Sequence, residues 1–121
     1  MPDALTTPAQ IELLRKIYAA FNRREIETVL AVMHADVDWP NGMEGGRVRG
    51  TDAVRKYWTR QFSMVNARVE PESFNTDPDG RIAINVHQVV HDHEGKLLDD
   101  RMVRHIYDIE DGLIRSMEIQ S

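Results

Sequence analysis

The 121-residue chain has no cysteine. That excludes a disulfide framework, a thiolate nucleophile, a cysteine-containing zinc site and iron–sulfur ligation together. Basic residues are also in deficit: fifteen Lys and Arg against twenty Asp and Glu give a net charge of −5, so no overall field attracts a phosphate backbone and no nucleic-acid partner is expected. Long apolar runs are missing as well. No stretch approaches the ~20 residues that a membrane helix needs, so no membrane partner is expected either. Met1 to Thr7 lacks a basic segment followed by an apolar run, so no signal peptide is read and a cytoplasmic location is expected. There is no Gly-x-Ser-x-Gly elbow to support serine hydrolase chemistry. The length suits one domain over 1–121, with room for one core and one modest cavity but not for a separate cofactor domain, and no cofactor is expected.

What is present is periodic. Thr7, Pro8 and Gln10 read as a capped helix start. Ile11, Leu14, Ile17, Tyr18 and Phe21 then form one apolar stripe opposed by Glu12, Arg15, Lys16 and Arg23. A second, shorter helix is expected with Ile26, Val29, Leu30 and Met33 on its apolar side. Val37 to Trp39 reads as a short extended segment, and the stretch holding Gly42, Gly45, Gly46 and Gly50 as a loop. Thr51 is expected to cap a third helix, with Val54, Tyr57, Trp58, Phe62 and Val65 as its buried side.

After Asn66 the helical period gives way to alternation. Strands are expected at Arg68 to Thr76, Ile82 to Asp92, Leu97 to Ile109 and Leu113 to Gln120, turned by Asp77-Pro78-Asp79-Gly80, Glu94-Gly95 and Asp111-Gly112. The result is an α+β domain in which three N-terminal helices pack on one face of a strongly curved, mostly antiparallel β-sheet. Val103, His105, Tyr107 and Ile109 share one strand face. Ile82, Ile84, Val86, Gln88 and Val90 oppose them if Glu94-Gly95 is a two-residue turn, whereas a three-residue turn flips the pairing.

Several strings in this order resemble the nuclear transport factor 2-like superfamily (NTF2-like, with a cystatin-like fold), in its SnoaL-like and ketosteroid-isomerase-like branch. They are Ile17-Tyr18-Ala19-Ala20-Phe21-Asn22, His34-Ala35-Asp36-Val37-Asp38-Trp39, Arg49-Gly50-Thr51-Asp52-Ala53-Val54 and Ile109-Glu110-Asp111-Gly112-Leu113-Ile114. The resemblance implies a cone whose helices close over a bent sheet around a pocket, and a homodimer built through the outer sheet face. Ala83, Val89, Met102 and Ile106 are expected on that face. It does not carry over the steroid isomerase residues. The general-base position, just before a proline, holds Trp39; the oxyanion tyrosine position falls on Ile17, with Tyr18 one step around the helix; and the protonated aspartic acid matches His105 if the last turn is one residue shorter here.

His105 is therefore the leading candidate: an imidazole on an apolar face can act as general acid or base near neutral pH. The competing reading is a buried neutral histidine satisfied by a core hydrogen bond. If the chain is an enzyme, cofactor-independent isomerisation, cyclisation or dehydration is expected, with His105 as proton carrier, Arg101 stabilising negative charge, and Tyr18 and Tyr107 supplying hydrogen bonds. Trp39, Tyr57, Trp58, Tyr107 and Gln88 are the candidate ligand-binding residues, and a small apolar or aromatic molecule is the expected ligand. Asp99 and Arg101 share the His105 face, and the resemblance offers the Asp–Arg–Asp arrangement of the epoxide-hydrolase branch as one role; a rim salt bridge is the other. His87, His91 and His93 share the opposite parity, which places them on an outer or interfacial face rather than in a metal site. Arg47 and Arg49 in the glycine loop lack the lysine of a phosphate loop. The alternative function is a non-catalytic ligand-binding or dimeric interaction module.

Overall fold

In the computed structural model, which describes residues 8–42 and 44–120, the elements run α1 (Pro8–Asn22), α2 (Ile26–Leu30), β1 (Met33–Pro40), β2 (Arg47–Arg49), α3 (Thr51–Met64), β3 (Asn66–Thr76), β4 (Ile82–His91), β5 (Leu97–Glu110) and β6 (Leu113–Gln120). Helices precede a curled six-stranded sheet of order β2-β1-β6-β5-β4-β3, as the NTF2-like reading requires. The β3 to β6 meander is antiparallel, while β1 joins β6 in parallel and β2 closes the edge against β1. Among the described residues no helix is long and apolar enough to cross a membrane.

Local sequence explains most of these boundaries. Leu14, Ile17, Tyr18 and Ala20 are the buried face of α1; the cap expected from Thr7 lies outside the described residues. The second helix is shorter than its apolar spacing suggests: it stops at Leu30, and Met33 instead opens β1, which begins four residues before the expected segment. Thr51 does not cap α3. Gly50 holds the N-cap position at a φ of 90° with no side-chain cap bond, and Thr51 is the first helical residue. Val54 and Trp58 are the buried residues of α3, Tyr57 and Phe62 are half-buried, and Val65 lies beyond the helix in extended backbone. The glycine stretch is not all loop, because Arg47–Arg49 pair with Asp38–Pro40.

The β4–β5 hairpin resolves the register question in an unexpected way. Asp92 N–H bonds Lys96 O, so the turn is the three-residue His93-Glu94-Gly95, which by itself flips the strand. A one-residue shift between Val90/Asp99 and His91/Leu97 cancels the flip, leaving Leu98 as the extra residue. The pairing is thus Ile82 with Tyr107, Ile84 with His105 and Val86 with Val103, as a two-residue turn would give. The β3–β4 turn repeats the device. In both hairpins an aspartate carboxylate, of Asp77 or Asp92, accepts the N–H groups two and four residues on, and a glycine follows in the left-handed region. Further shifts at Pro71/Ser73 and Asp108/Ile109 bend the sheet over α1 and α3.

Two residues expected on the outer face, Ala83 and Ile106, lie opposite each other on β4 and β5 and are buried within the chain, whereas Met102 is 51% exposed.

One side chain ties α1 to the sheet. Asn22 donates to Val69 O at 2.8 Å and accepts from Val69 N–H at 2.9 Å, replacing one rung of a ladder on β3. Asn22→Ala is expected to cost about 1–3 kcal/mol in urea unfolding, since it strips both groups of partners in a half-buried seam. A loss well under the lower figure means that water replaces the amide there.

Candidate functional site

The sheet and helices enclose a cavity of about 480 Å³. All eight residues expected to act or bind there, His105, Arg101, Tyr18, Trp39, Tyr57, Trp58, Tyr107 and Gln88, contribute to its wall. The walls are largely apolar. Trp39 and Trp58 meet edge to face at 5.4 Å and 88°, and Trp39 meets Tyr107 at 6.2 Å.

Polar groups occur in two clusters. The buried cluster brings α1 and β5 together: Tyr107 O–H donates to Tyr18 O at 2.9 Å, and Tyr18 O–H lies 2.7 Å from His105 Nδ1. Because Tyr18 O already accepts from Tyr107, its own proton goes to His105, and Nδ1 is an acceptor. A neutral imidazole with Nδ1 accepting carries its proton on Nε2. That Nε2 is buried and has no hydrogen-bond partner among the described residues. Burial lowers the His105 pKa from 6.5 to about 4 and, as the leading cause, raises both phenols above their usual range. At neutral pH all three groups are therefore uncharged. Ile17 and the neighbouring Tyr18 both line this wall, and Tyr18 brings a hydroxyl to it.

The second cluster lies where the cavity is more open. Asp99 Oδ2 accepts from Gln88 Nε2 at 2.9 Å and from Arg101 Nε at 3.0 Å, and Arg101 is about half exposed. Asp99 is the one carboxylate, and Arg101 the one cation, among the described residues of the wall. Alternation along β5 placed Asp99 on this face, but its link to Gln88 depends on the Leu98 bulge, which the sequence does not announce. Gln61 is a wall residue outside the expected set: it follows Tyr57 by one helical turn on α3 and bonds the Tyr57 hydroxyl at 3.4 Å, which also accepts from Gly42 N–H at 3.0 Å. Its i+4 spacing was the available signal.

The histidines on the other parity stay away from this cavity. His87 Nε2 meets Asp100 Oδ1 at 2.6 Å, His91 ends β4 and His93 sits in the turn. Among the described residues no three His, Asp or Glu side chains converge as a metal site. Arg47 in the former glycine loop is used structurally, bonding Asp38 and the Met117 carbonyl at 2.6 Å each.

The SnoaL-like domain family matches residues 14–117 of the sequence. No curated protein matches it. Among solved structures, TerC co-crystallized with polyporic acid is 28% identical, with 90% of this chain and 88% of that chain covered and a TM-score of 0.77. An NTF2-like protein of unknown function from Burkholderia pseudomallei is 26% identical, with 91% and 88% covered and a TM-score of 0.78. A putative polyketide cyclase from Xanthomonas campestris is 23% identical, with 90% and 87% covered and a TM-score of 0.74; at that identity it bears on the fold alone.

Proposed function

The chain belongs to the SnoaL-like domain family, and from that premise we propose that it binds a small, mostly apolar organic molecule whose carbonyl or other oxygen acceptor meets His105 Nε2–H. The observation carrying this reading is the unpartnered Nε2 on a ring that lines an apolar cavity. An orphaned buried N–H costs about 1–3 kcal/mol, which a ligand acceptor recovers. TerC, co-crystallized with polyporic acid, supports a small organic ligand.

On this reading His105 works as a neutral donor rather than as the proton carrier that its residue type suggests. Tyr107 and Tyr18 hold its tautomer, and the N–H stabilises negative charge developing on a carbonyl oxygen. Arg101 and Asp99 serve the opposite end, where Asp99 acts as base for cofactor-independent isomerisation, cyclisation or dehydration once a ligand draws Gln88 or Arg101 away from it. A homodimer through the outer face, where Met102 is exposed, completes the proposal. One observation favours binding without turnover: Asp99 is engaged by both Gln88 and Arg101, so the cavity wall offers no free base.

A matched pair separates these ideas. The two tryptophans of the chain both line the cavity, so their fluorescence reports occupancy. 2-Acetylnaphthalene is expected to bind about tenfold more tightly than 2-ethylnaphthalene, and His105→Leu to abolish that preference while leaving the hydrocarbon bound. Equal affinities for the pair in the native protein overturn the donor role. Deuterium uptake beside the ketone carbonyl in D2O, faster than in buffer, supports catalysis; binding without exchange supports the module.

A further inference from the structure

A second hollow, of about 370 Å³, lies between α1 and β3 on the far side of Tyr18, and its chemistry is the reverse of the main cavity. Arg15 and Ala19 on α1 and Arg23, the first residue beyond it, succeed one another by four residues, so the small Ala19 leaves a gap between two guanidiniums. Arg68 faces them from β3. The wall is fixed, because Asn22 is bonded to both Val69 backbone groups beside Arg68.

The positive groups there exceed the negative ones. Arg23 pairs with Glu25 at 2.9 Å and Arg68 with Glu70 at 2.7 Å. Arg15 has no carboxylate partner among the described residues; its guanidinium rests 4.8 Å from the centre of the Phe74 ring, which holds it in place without neutralising it. Arg24, two residues past α1 and outside the lining of the hollow, adds positive charge within electrostatic reach of Arg68 while bonding Asn66 and the Phe21 carbonyl. On the wall itself three guanidiniums, Arg15, Arg23 and Arg68, stand against one carboxylate, Glu70, a local excess in a chain whose net charge is −5.

We infer that this hollow is an anion site for a phosphate group, either free or carried by a small organic molecule. Arginine forks match phosphate oxygens, and a dianion engages several forks at once, whereas one carboxylate is satisfied by one fork, as Glu25 shows by taking Arg23 Nε and Nη2 on its two oxygens. The volume exceeds what a bare anion fills, so it leaves room for an attached organic part. Nothing in this inference depends on the ligand of the main cavity.

The test is titration of the whole chain with inorganic phosphate, phenyl phosphate and benzoate, followed by amide NMR shifts around Ala19 and Val69. Saturable shifts across the millimolar range with either phosphate, weakening as salt rises, are expected. Phenyl phosphate alone saturating identifies a phosphorylated organic ligand, and both saturating identifies the phosphate group itself. The double variant Arg15→Gln with Arg68→Gln should weaken binding about tenfold, while Arg60→Gln with Arg115→Gln, the same charge loss elsewhere, should not. No saturation by either phosphate, benzoate binding as tightly as phenyl phosphate, or equal weakening in both double variants overturns the inference.

Discussion

Acidification from about pH 7 to pH 4 is expected to remove about 3 kcal/mol of folding stability through His105 alone. The folded pKa is about 4 and the ordinary value is 6.5. Between them the unfolded chain binds a proton that the folded chain refuses, so stability falls as pH falls. The effect begins near the unfolded value, steepens to about 1.2 kcal/mol per pH unit, and levels off below the folded one. Its origin is burial, reinforced by the direction of the Tyr107–Tyr18–His105 chain: protonating Nδ1 makes it a donor, which forces the Tyr18 and Tyr107 hydroxyls to reverse. Neither phenol titrates in this range, since burial raises both. Urea unfolding of the native protein and His105→Gln at both pH values isolates the contribution, because every other titrating group is shared. The native protein should lose about 2–3 kcal/mol more than the variant. Equal losses mean that the folded state accepts the proton and that the neutral-donor reading is wrong.

How far this arrangement was legible in the sequence depends on the range of the interactions involved. Helices α1 and α3 and the turns Asp77 to Gly80 and Asp111-Gly112 are local patterns, and each lies where its pattern indicates. The inward face of β5 follows from alternation, so His105 and Tyr107 were assignable to the core side. The shortness of α2 was not legible, because Met33 fits an apolar helical stripe as well as a buried strand position; its pairing with Ile114 on β6 decides, eighty-one residues away. Strand β2 has only three residues in a glycine-rich stretch, and its partner β1 supplies the order. The charge state of His105 belongs to the same class. It follows from desolvation by the assembled cone, while the hydroxyl that orients the ring sits on α1, separated by 87 residues. Residue type suggests a group that titrates near neutral pH; burial holds this imidazole uncharged there.

The bulge at Leu98 shows how little separates two sites. Without it the three-residue turn would carry Asp99, Arg101 and His105 to the outer face and leave Asp100, Met102 and Arg104 inside. The polar cavity wall therefore rests on one extra residue in a hairpin, and the exposed Leu97 and Leu98 are the visible cost of placing it there.

Trp58→Ala is expected to be the most damaging single truncation in the cavity wall, at about 3–5 kcal/mol. Trp58 is 2% exposed and joins three elements: it meets Phe21 of α1 at 5.5 Å and 76°, and Trp39 of β1 at 5.4 Å and 88°, from its own position on α3. Truncation removes both edge contacts and opens space into an existing cavity, so the surroundings cannot collapse to fill it. The same argument predicts the ligand effect. The enlarged cavity should favour a bulkier hydrocarbon over 2-ethylnaphthalene, whereas the ketone preference that depends on His105 should persist, since Trp58 makes no hydrogen bond to the Tyr18–His105 pair. Urea unfolding reads the stability, and quenching of the remaining Trp39 reads the binding. A loss below about 1 kcal/mol means that Trp58 closes the cavity without supporting the core. Loss of the ketone preference in a folded Trp58→Ala protein means that the donor geometry is set by the aromatic wall rather than by the two tyrosines.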